Sequence, residues 1–278
     1  MSIRRRALPR GWYPASADDC IREIADFVRG FTSPRGSWIG GVAPHAGWTF
    51  SGRAAARVVS TLAQSARPDR VIVYGGHLPG HSDPVAYVDD AWETPLGRLE
   101  LDAELSEELA ARGEAMRATA SFNDNTVEVL LPFVKHYFPD VPVVAVHAPS
   151  SSNAIRLGIA MERLLRDKGL SGVYLGSADL THYGPNYGFS PKGIGPAAVQ
   201  WVKGENDKSL IDRALSMDAL GLLDDSLKRH NTCSPGPIAA VIASVGVHGV
   251  KQGNLLEYYT SYDVMPDSSF VGYAAIVY

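Results

Sequence analysis

Cysteine is scarce in this 278-residue sequence, which contains only Cys20 and Cys233. They lie on predicted elements far apart in the chain. This does not favour a disulfide framework and fits a reducing cytoplasm. Within its helix, Cys20 is predicted to be a small buried hydrophobic residue.

Long apolar runs and excess positive charge are also missing. No stretch reaches the roughly 20 apolar residues that span a bilayer, and the net charge of -4 gives no basic footprint for nucleic acid. Arg4, Arg5, Arg6 and Arg10 are not followed by the apolar segment of a signal peptide, so we interpret them as a solvated N-terminal arm. The sequence predicts a cytoplasmic protein without membrane or nucleic-acid partners.

No linker divides the chain, and its 45% hydrophobic and 20% charged residues are typical of globular proteins. We predict one domain over residues 1–278, with residues 1–15 as a lead-in. Apolar strand-like runs alternate with helical patterns, which indicates an α/β fold with a mixed, largely parallel sheet covered by helices on both faces. Two closing strands, near Leu255–Tyr262 and Phe270–Tyr278, are expected to be antiparallel neighbours.

Several residues mark the predicted helix boundaries. Ser16, Asp102 and the Asn123–Asn125 segment can cap helices, and Pro132 should bend or divide the helix that follows the last of these. Ser234 is predicted to cap a helix with Pro235 at its first position, running through Val245.

Three histidines follow three predicted buried strands. His45 comes after Trp38–Ala43, His77 after 70–75, and His182 follows 172–176 by way of a short loop. Open α/β folds place their sites at the carboxyl edge of the sheet, where such turns converge. The three imidazoles are therefore candidates for one site.

Cys233 immediately precedes a predicted helix N-terminus, where backbone N–H groups favour an anion and should lower the thiol pKa. With His45 and His77 it would form a metal site of two nitrogens and one sulfur with open positions. No CxxC or HExxH motif supports this spacing, so a buried structural cysteine and ordinary loop histidines remain alternatives. His81 could replace His77 as a ligand.

Other side chains could act beside such a site. Asp179 lies three residues before His182 and could raise its basicity, which suits a general acid/base. Glu128 could point toward the site or be a solvated or capping carboxylate. An aromatic pocket for a planar ligand is plausible from the rings of Trp48, Phe50, Tyr183, Tyr187 and Phe189.

At these residues the chain resembles the Memo family, also called AmmeMemoRadiSam system protein B, which is related to class III (LigB-type) extradiol dioxygenases. The resemblance rests on five segments in family order after the lead-in Gly11–Pro14: Pro44–Gly52 (PHAGYxYSG in the family), Gly75–His77 (GPSH), Thr126–Phe133 (SxEVQLPF), Ser177–Gly184 (SSDLSHYG) and Thr232–Ile238 (TCGxxPI).

The resemblance implies a LigB-like fold and a mononuclear iron or copper site held by His45, His77 and Cys233, with His182 as acid/base near the substrate. This chain departs from the family pattern in three places. The second segment is one residue short, Asn125 replaces a usual histidine in the pocket wall, and Ser234 replaces the glycine after the cysteine.

Three functions follow as hypotheses. The first is a non-haem Fe(II) oxygenase acting with O2 on a small substrate, for which an aromatic compound is one option; its substrate-binding residues are predicted to be Trp48, Phe50, Asn125, Glu128 and Tyr183. The second is a non-catalytic iron- or copper-binding or adaptor protein. The third is a hydrolase that uses Cys233, His182 and Asp179. The sequence leaves a homo-oligomer open.

Overall fold

A computed structural model describes residues 2–118 and 124–278 of the chain. The strands are β1 (Ile3–Arg4), β2 (Gly40–Ala43), β3 (Arg70–Gly75), β4 (Val85–Ala86), β5 (Ala91–Thr94), β6 (Gly97–Glu100), β7 (Met116–Arg117), β8 (Val143–His147), β9 (Gly172–Ser177), β10 (His182–Tyr183), β11 (Asn254–Thr260) and β12 (Phe270–Val277).

The helices are α1 (Ala17–Phe27), α2 (Trp48–Ser65), α3 (Ala103–Ala111), α4 (Asn125–Glu128), α5 (Leu131–Tyr137), α6 (Ser152–Asp167), α7 (Pro196–Trp201), α8 (Asp207–Leu215), α9 (Ala219–Arg229), α10 (Pro235–Val247) and α11 (Ser261–Val264). A 3-10 turn covers Pro185–Tyr187, and a π-helical turn, Val202–Asn206, joins α7 to α8. None of the helices in the described part of the chain is long and apolar enough to cross a bilayer.

The main sheet is mixed, with a parallel centre. Its order in the described residues is β10-β12-β2-β9-β3-β8-β4-β7, and β11 pairs with β12. Strands β2, β9, β3 and β8 are mutually parallel, whereas β11 and β12 are antiparallel to each other, as predicted. A smaller sheet joins β1, β5 and β6. The predicted α/β fold class is confirmed.

Alternating strand residues create two apolar layers, one on each face of the main sheet. Val71 and Val73 of β3 pack in the layer that includes residues of α1, α2 and α5. Ile72 and Tyr74 point to the opposite layer, which includes residues of α6 and α10. Because side chains of a strand alternate between faces, a strand covered on both sides carries apolar side chains at successive positions, as β3 does from Val71 to Tyr74.

Helix boundaries largely follow the capping residues. Ser16 and Asp102 accept hydrogen bonds from backbone N–H groups as predicted, and Pro132 lies in the first turn of α5, so the expected helix is divided into α4 and α5. Asp124 caps α4; Asn123 lies outside the described residues. Helix α10 begins at Pro235, but Ser234 makes no capping side-chain bond.

The prediction of a solvated N-terminal arm is wrong for Arg4. This residue is 7% exposed and pairs within β1 against β5. Its guanidinium carbon lies 4.5 Å from the ring centroid of Tyr87 and 5.0 Å from that of Trp92, and Nη1 is 3.3 Å from Asp89. The cation–π contacts and the nearby carboxylate offset the free-energy cost of burying this charge.

Candidate metal centre

Three donor atoms meet at the carboxyl edge of the parallel strands. The metal-ligating atoms of His45, His77 and Cys233 lie within 4.8 Å of one another. His45 follows β2, His77 follows β3, and Cys233 lies just before α10. Gly76 adopts φ +99°, and a Cβ there would lie 2.7 Å from the Cβ of His147. This glycine thus permits the tight turn after which His77, and not the exposed His81, joins the cluster.

Hydrogen bonds determine which nitrogen of His45 faces the cluster. Its Nδ1 is 3.0 Å from the Ser177 hydroxyl oxygen, and that hydroxyl donates its only proton to the carbonyl of Thr126 at 2.6 Å. Ser177 must therefore accept from Nδ1–H, so Nε2 is the nitrogen that faces the cluster and that can bind a metal once it carries no proton. The His45 side chain is 2% exposed, so this orientation is held inside the protein.

His77 is oriented by a carboxylate. Its Nδ1 lies 3.0 Å from Oδ2 of Asp124, whose other oxygen accepts from the backbone N–H of Thr126 at 2.8 Å and from its hydroxyl. A carboxylate on the far nitrogen fixes the tautomer and strengthens the ligating one. The sequence by itself places Asp124 only in a helix-capping segment and assigns Ser177 no role; in the structure both residues orient candidate ligands.

The thiol of Cys233 lies in a strongly cationic environment. Its Sγ is 3.3 Å from Nε2 of His45. Burial by itself would raise the pKa of Cys233, but the charge of His45 and hydrogen bonds from His182, His45 and His77 hold that pKa well below its usual range. Two imidazoles and a thiolate form a donor set that fits a transition-metal ion, whose binding would displace the protons now shared within the cluster.

His182 and Asp179 stand beside this donor set. Asp179 is buried; its Oδ1 accepts from the backbone N–H of His45 at 2.7 Å, and its Oδ2 is 3.7 Å from Nε2 of His182. Burial would lower the pKa of His182, but polar contacts with Asp179 and Cys233 and the charges of these two groups raise it to about 10. At 3.7 Å the carboxylate and the imidazole form a close charge pair without a direct hydrogen bond, so Asp179 stabilises the imidazolium form of His182 by its charge.

The loop that carries Asp179 and His182 is anchored from behind by a buried carboxyl. Asp207 accepts from the backbone N–H of Thr181 at 3.0 Å and from its hydroxyl, and its other oxygen accepts from the Tyr258 hydroxyl at 2.7 Å. Asp207 directly follows the π-helical turn. Local sequence carried no signal for this contact, because 26 residues separate Asp207 from Thr181.

A cavity of about 430 Å³ opens beside the donor set and His182. Phe50 and Asn125 line it, as predicted from sequence, and so does Tyr187. Its other lining residues are Trp12, His45, Ala46, Gly47, His77, Asp179, His182, Asn186, Ser261, Met265, Asp267, Ser269, Val271 and Tyr273. Among these described residues there is no lysine or arginine, so the wall offers carboxylates and neutral hydrogen-bonding groups.

Two aromatic residues predicted to bind substrate lie elsewhere. Trp48 is 2% exposed, stacks on Phe133 at 4.1 Å between ring centroids and donates from Nε1 to the carbonyl of Val129. Tyr183 stacks on Phe270, and its hydroxyl donates to a backbone carbonyl. The predictions for Trp48 and Tyr183 are corrected, because both rings are used in core packing.

Glu128 also points away from the cavity, which corrects its predicted role. Its carboxylate is buried and accepts from the backbone N–H groups of Ala7 and Leu8 and from the Tyr13 hydroxyl, at 2.7 to 3.0 Å. The residue therefore anchors the N-terminal lead-in. That lead-in contributes Trp12 to the cavity, and the Trp12 carbonyl accepts from the N–H of Trp48 at 2.8 Å.

The sequence by itself did not predict the cavity-lining residues that come from β12 and from the segment before it, although β12 has a pattern that could have indicated two of them. Val271 and Tyr273 line the cavity from one face of β12, and the period of two along the final strand could have placed them on the same face. Ser261, Met265 and Asp267 come from the segment between β11 and β12, for which the sequence showed no motif.

Comparison with known proteins identifies the family. The family model described as "Memo-like protein" matches residues 4–277. The chain belongs to the Memo family.

Two curated relatives of this Memo protein match most of its length. A MEMO1 family protein of Methanococcoides burtonii is 30% identical over 279 residues and covers 99% of each chain. One of Methanopyrus kandleri is 36% identical over 250 residues, covering 86% of this chain and 82% of its own. These names state no activity.

A solved structure supports the fold. The crystal structure of the uncharacterized protein JW3007 from Escherichia coli K12 matches with a TM-score of 0.53 at 13% identity, covering 84% of this chain and 98% of that one. The likeness is consistent with the LigB-like α/β fold class expected from the sequence.

Proposed function

We propose that this Memo protein binds a single Fe(II) ion through His45, His77 and Cys233 and uses O2 to oxidise a small aromatic substrate. The observation that carries the proposal is the pair of orienting hydrogen bonds on the two imidazoles. Ser177 and Asp124 occupy the far nitrogens, so Nε2 of each ring faces the cluster and can bind a metal when its proton is released, as ligating histidines require. Three protein donors leave open positions for reactants.

The surrounding residues have separate roles in this proposal. Bound Fe(II) would pass electrons from the substrate, which is oxidised, to dioxygen, which is reduced. The cavity holds the substrate, with Phe50 and Tyr187 offering ring faces or edges to a planar body. His182 holds or moves a proton at Nε2, and Asp179 stabilises the imidazolium form of that ring.

Anaerobic reconstitution with Fe(II) followed by nitric oxide, a surrogate for O2, tests the proposal. We expect the electron paramagnetic resonance signal of a high-spin iron–nitrosyl complex. His77→Ala should lose the iron, whereas His81→Ala, a matched change four residues away on the same loop, should keep both iron and signal. Full iron occupancy in folded His45→Ala and His77→Ala proteins would contradict the proposed ligand set.

A second candidate function is a non-catalytic iron- or copper-binding or adaptor protein. The thiolate of Cys233 favours it, since sulfur ligands suit Cu(I) as well as iron. Competition between Fe(II) and Cu(I) for the same protein, read by elemental analysis, separates the metals. Saturable oxygen uptake by the iron form with any aromatic compound would argue for the oxygenase and against the binding role.

A further inference from the structure

A second cavity, of about 450 Å³, adjoins the first at His182 and Tyr187. It is lined by His182, Tyr187, Gly188, Phe189, His230, Thr232 and Cys233. Only His182 and Tyr187 are common to the two cavities. The ring of Tyr187 packs edge-on against that of His182, with 4.8 Å between centroids, so these two side chains form a partition.

The two cavities reach different members of the donor set. His45, His77 and Asp179 line the first cavity, whereas Cys233 lines the second and does not line the first. Cys233 is partly exposed. Its exposed surface therefore belongs to the second cavity, and the site stands between two spaces.

The partition is supported by backbone hydrogen bonds. The N–H of Gly184 donates to the carbonyl of Phe189 at 2.7 Å, and the N–H of Tyr187 donates to the carbonyl of Gly184 at 3.1 Å, which closes a compact turn around the 3-10 segment. The Asn186 N–H also donates to the Ser269 hydroxyl at 3.1 Å. The turn is thus tied both to itself and to the segment before β12.

The walls of the two cavities differ in chemistry. The first includes the carboxylates of Asp179 and Asp267 and the amides of Asn125 and Asn186. The described residues around the second include no aspartate, glutamate, lysine or arginine; its two charged groups, the imidazolium of His182 and the thiolate of Cys233, stabilise each other. The Thr232 hydroxyl there donates to the carbonyl of Asp179 at 2.6 Å and is not available to a ligand as a donor. Such a wall suits a small uncharged molecule better than an ion or a strongly polar substrate.

We propose that the second cavity is a separate entrance through which a small uncharged co-reactant reaches the site from the Cys233 side while the organic substrate occupies the first cavity. If the oxygenase function proposed above holds, on which this identity rests, the co-reactant is dioxygen. The entrance itself is a property of the metal-free protein and is testable without iron.

Alkylation of Cys233 by iodoacetamide, a small neutral probe, measures this access directly. The thiolate sulfur forms a bond to the methylene carbon while the carbon–iodine bond breaks and iodide leaves. Mass spectrometry of peptides follows Cys233 separately from Cys20, which is fully buried and serves as an internal check on unfolding. The two filling variants are His230→Trp, in the second cavity only, and Met265→Trp, in the first only.

We expect His230→Trp to slow alkylation of Cys233 at least about fivefold, since a thiol reacts according to its access as well as its pKa. Met265→Trp should leave the rate unchanged. Slowing by Met265→Trp, equal slowing by both variants, or no effect of either would overturn the proposal. Unchanged thermal unfolding midpoints and an unreactive Cys20 verify that both variants are folded.

Stopped-flow binding of nitric oxide to the Fe(II) protein supplies the second measurement. His230→Trp should slow nitric oxide binding by a similar factor, and Met265→Trp should not. Failure of the protein to bind iron would refute the proposed oxygenase function but would not change what the alkylation rates say about the entrance. Loaded iron with equal nitric oxide rates in both variants would instead refute the entrance and leave the oxygenase function intact.

Discussion

The buried carboxylate of Glu128 offers the sharpest test of how the fold shapes this site. We predict that Glu128→Gln loosens the N-terminal lead-in without touching the donor set. The carboxylate accepts from three donors, the N–H groups of Ala7 and Leu8 and the hydroxyl of Tyr13. An amide retains one oxygen but turns an NH2 group toward donors.

The size of the effect follows from the loss of charge. Hydrogen bonds to a charged group contribute about 1.5–3 kcal/mol and neutral ones about 0.5–1.5 kcal/mol. Each of the three donors therefore loses about 1 kcal/mol, or about 3 kcal/mol together. If the lead-in opens locally, the amides of Ala7 and Leu8 should exchange with solvent about a hundredfold faster.

Hydrogen exchange measures the local opening of the lead-in, and urea denaturation measures the change in the free energy of unfolding of the whole protein. Glu104→Gln is the matched control, because the Glu104 side chain is 84% exposed and its ion pair with Lys168 is screened by solvent, so its loss should change stability little. The reasoning would be refuted if Glu128→Gln left Ala7 and Leu8 exchange unchanged while weakening ligand binding in the cavity. That result would mean that Glu128 binds substrate, as the sequence analysis predicted.

Three further predictions concern other parts of the chain. Burial raises the pKa of Asp207 to about 7 from 3.8, so the folded protein should lose about 4 kcal/mol of stability as pH rises from about 4 to above 7. Urea titrations of Asp207→Asn should show no such pH dependence, and parallel pH profiles of the two proteins would contradict the prediction. Asp124→Asn, which weakens the orientation of His77, should reduce metal affinity about 10- to 100-fold by competition titration, and unchanged affinity would exclude an orienting role. Gly236→Ala would force a Cβ against backbone carbonyl oxygens and should destabilise the protein by about 1–3 kcal/mol, whereas a Cβ at Gly246 meets nothing within 4 Å, so Gly246→Ala should stabilise α10 by up to about 1 kcal/mol. Thermal unfolding measures both changes, and equal shifts of the unfolding midpoint would refute the packing argument.

Much of the architecture could be predicted from the chain alone because its causes are local. Apolar strands alternate with capped helices, so an α/β fold follows from periodicity and from residues such as Ser16 and Asp102. The carboxyl ends of parallel strands lie at one edge of the sheet, so the sequence predicts that His45 and His77 lie close together. The cysteine before a Pro-Gly-Pro helix start was likewise visible in sequence.

Tertiary structure alone decided the direction of each side chain at that edge. Glu128 turns to Ala7, 121 residues away, and Ser177 meets His45 across 132 residues, distances over which no periodicity carries information. Arg4 is buried because two aromatic rings and a carboxylate converge on it only after folding. Sequence determined which residues could form a metal centre; packing between distant segments determined which of them are oriented, which line a cavity and from which side each is reached.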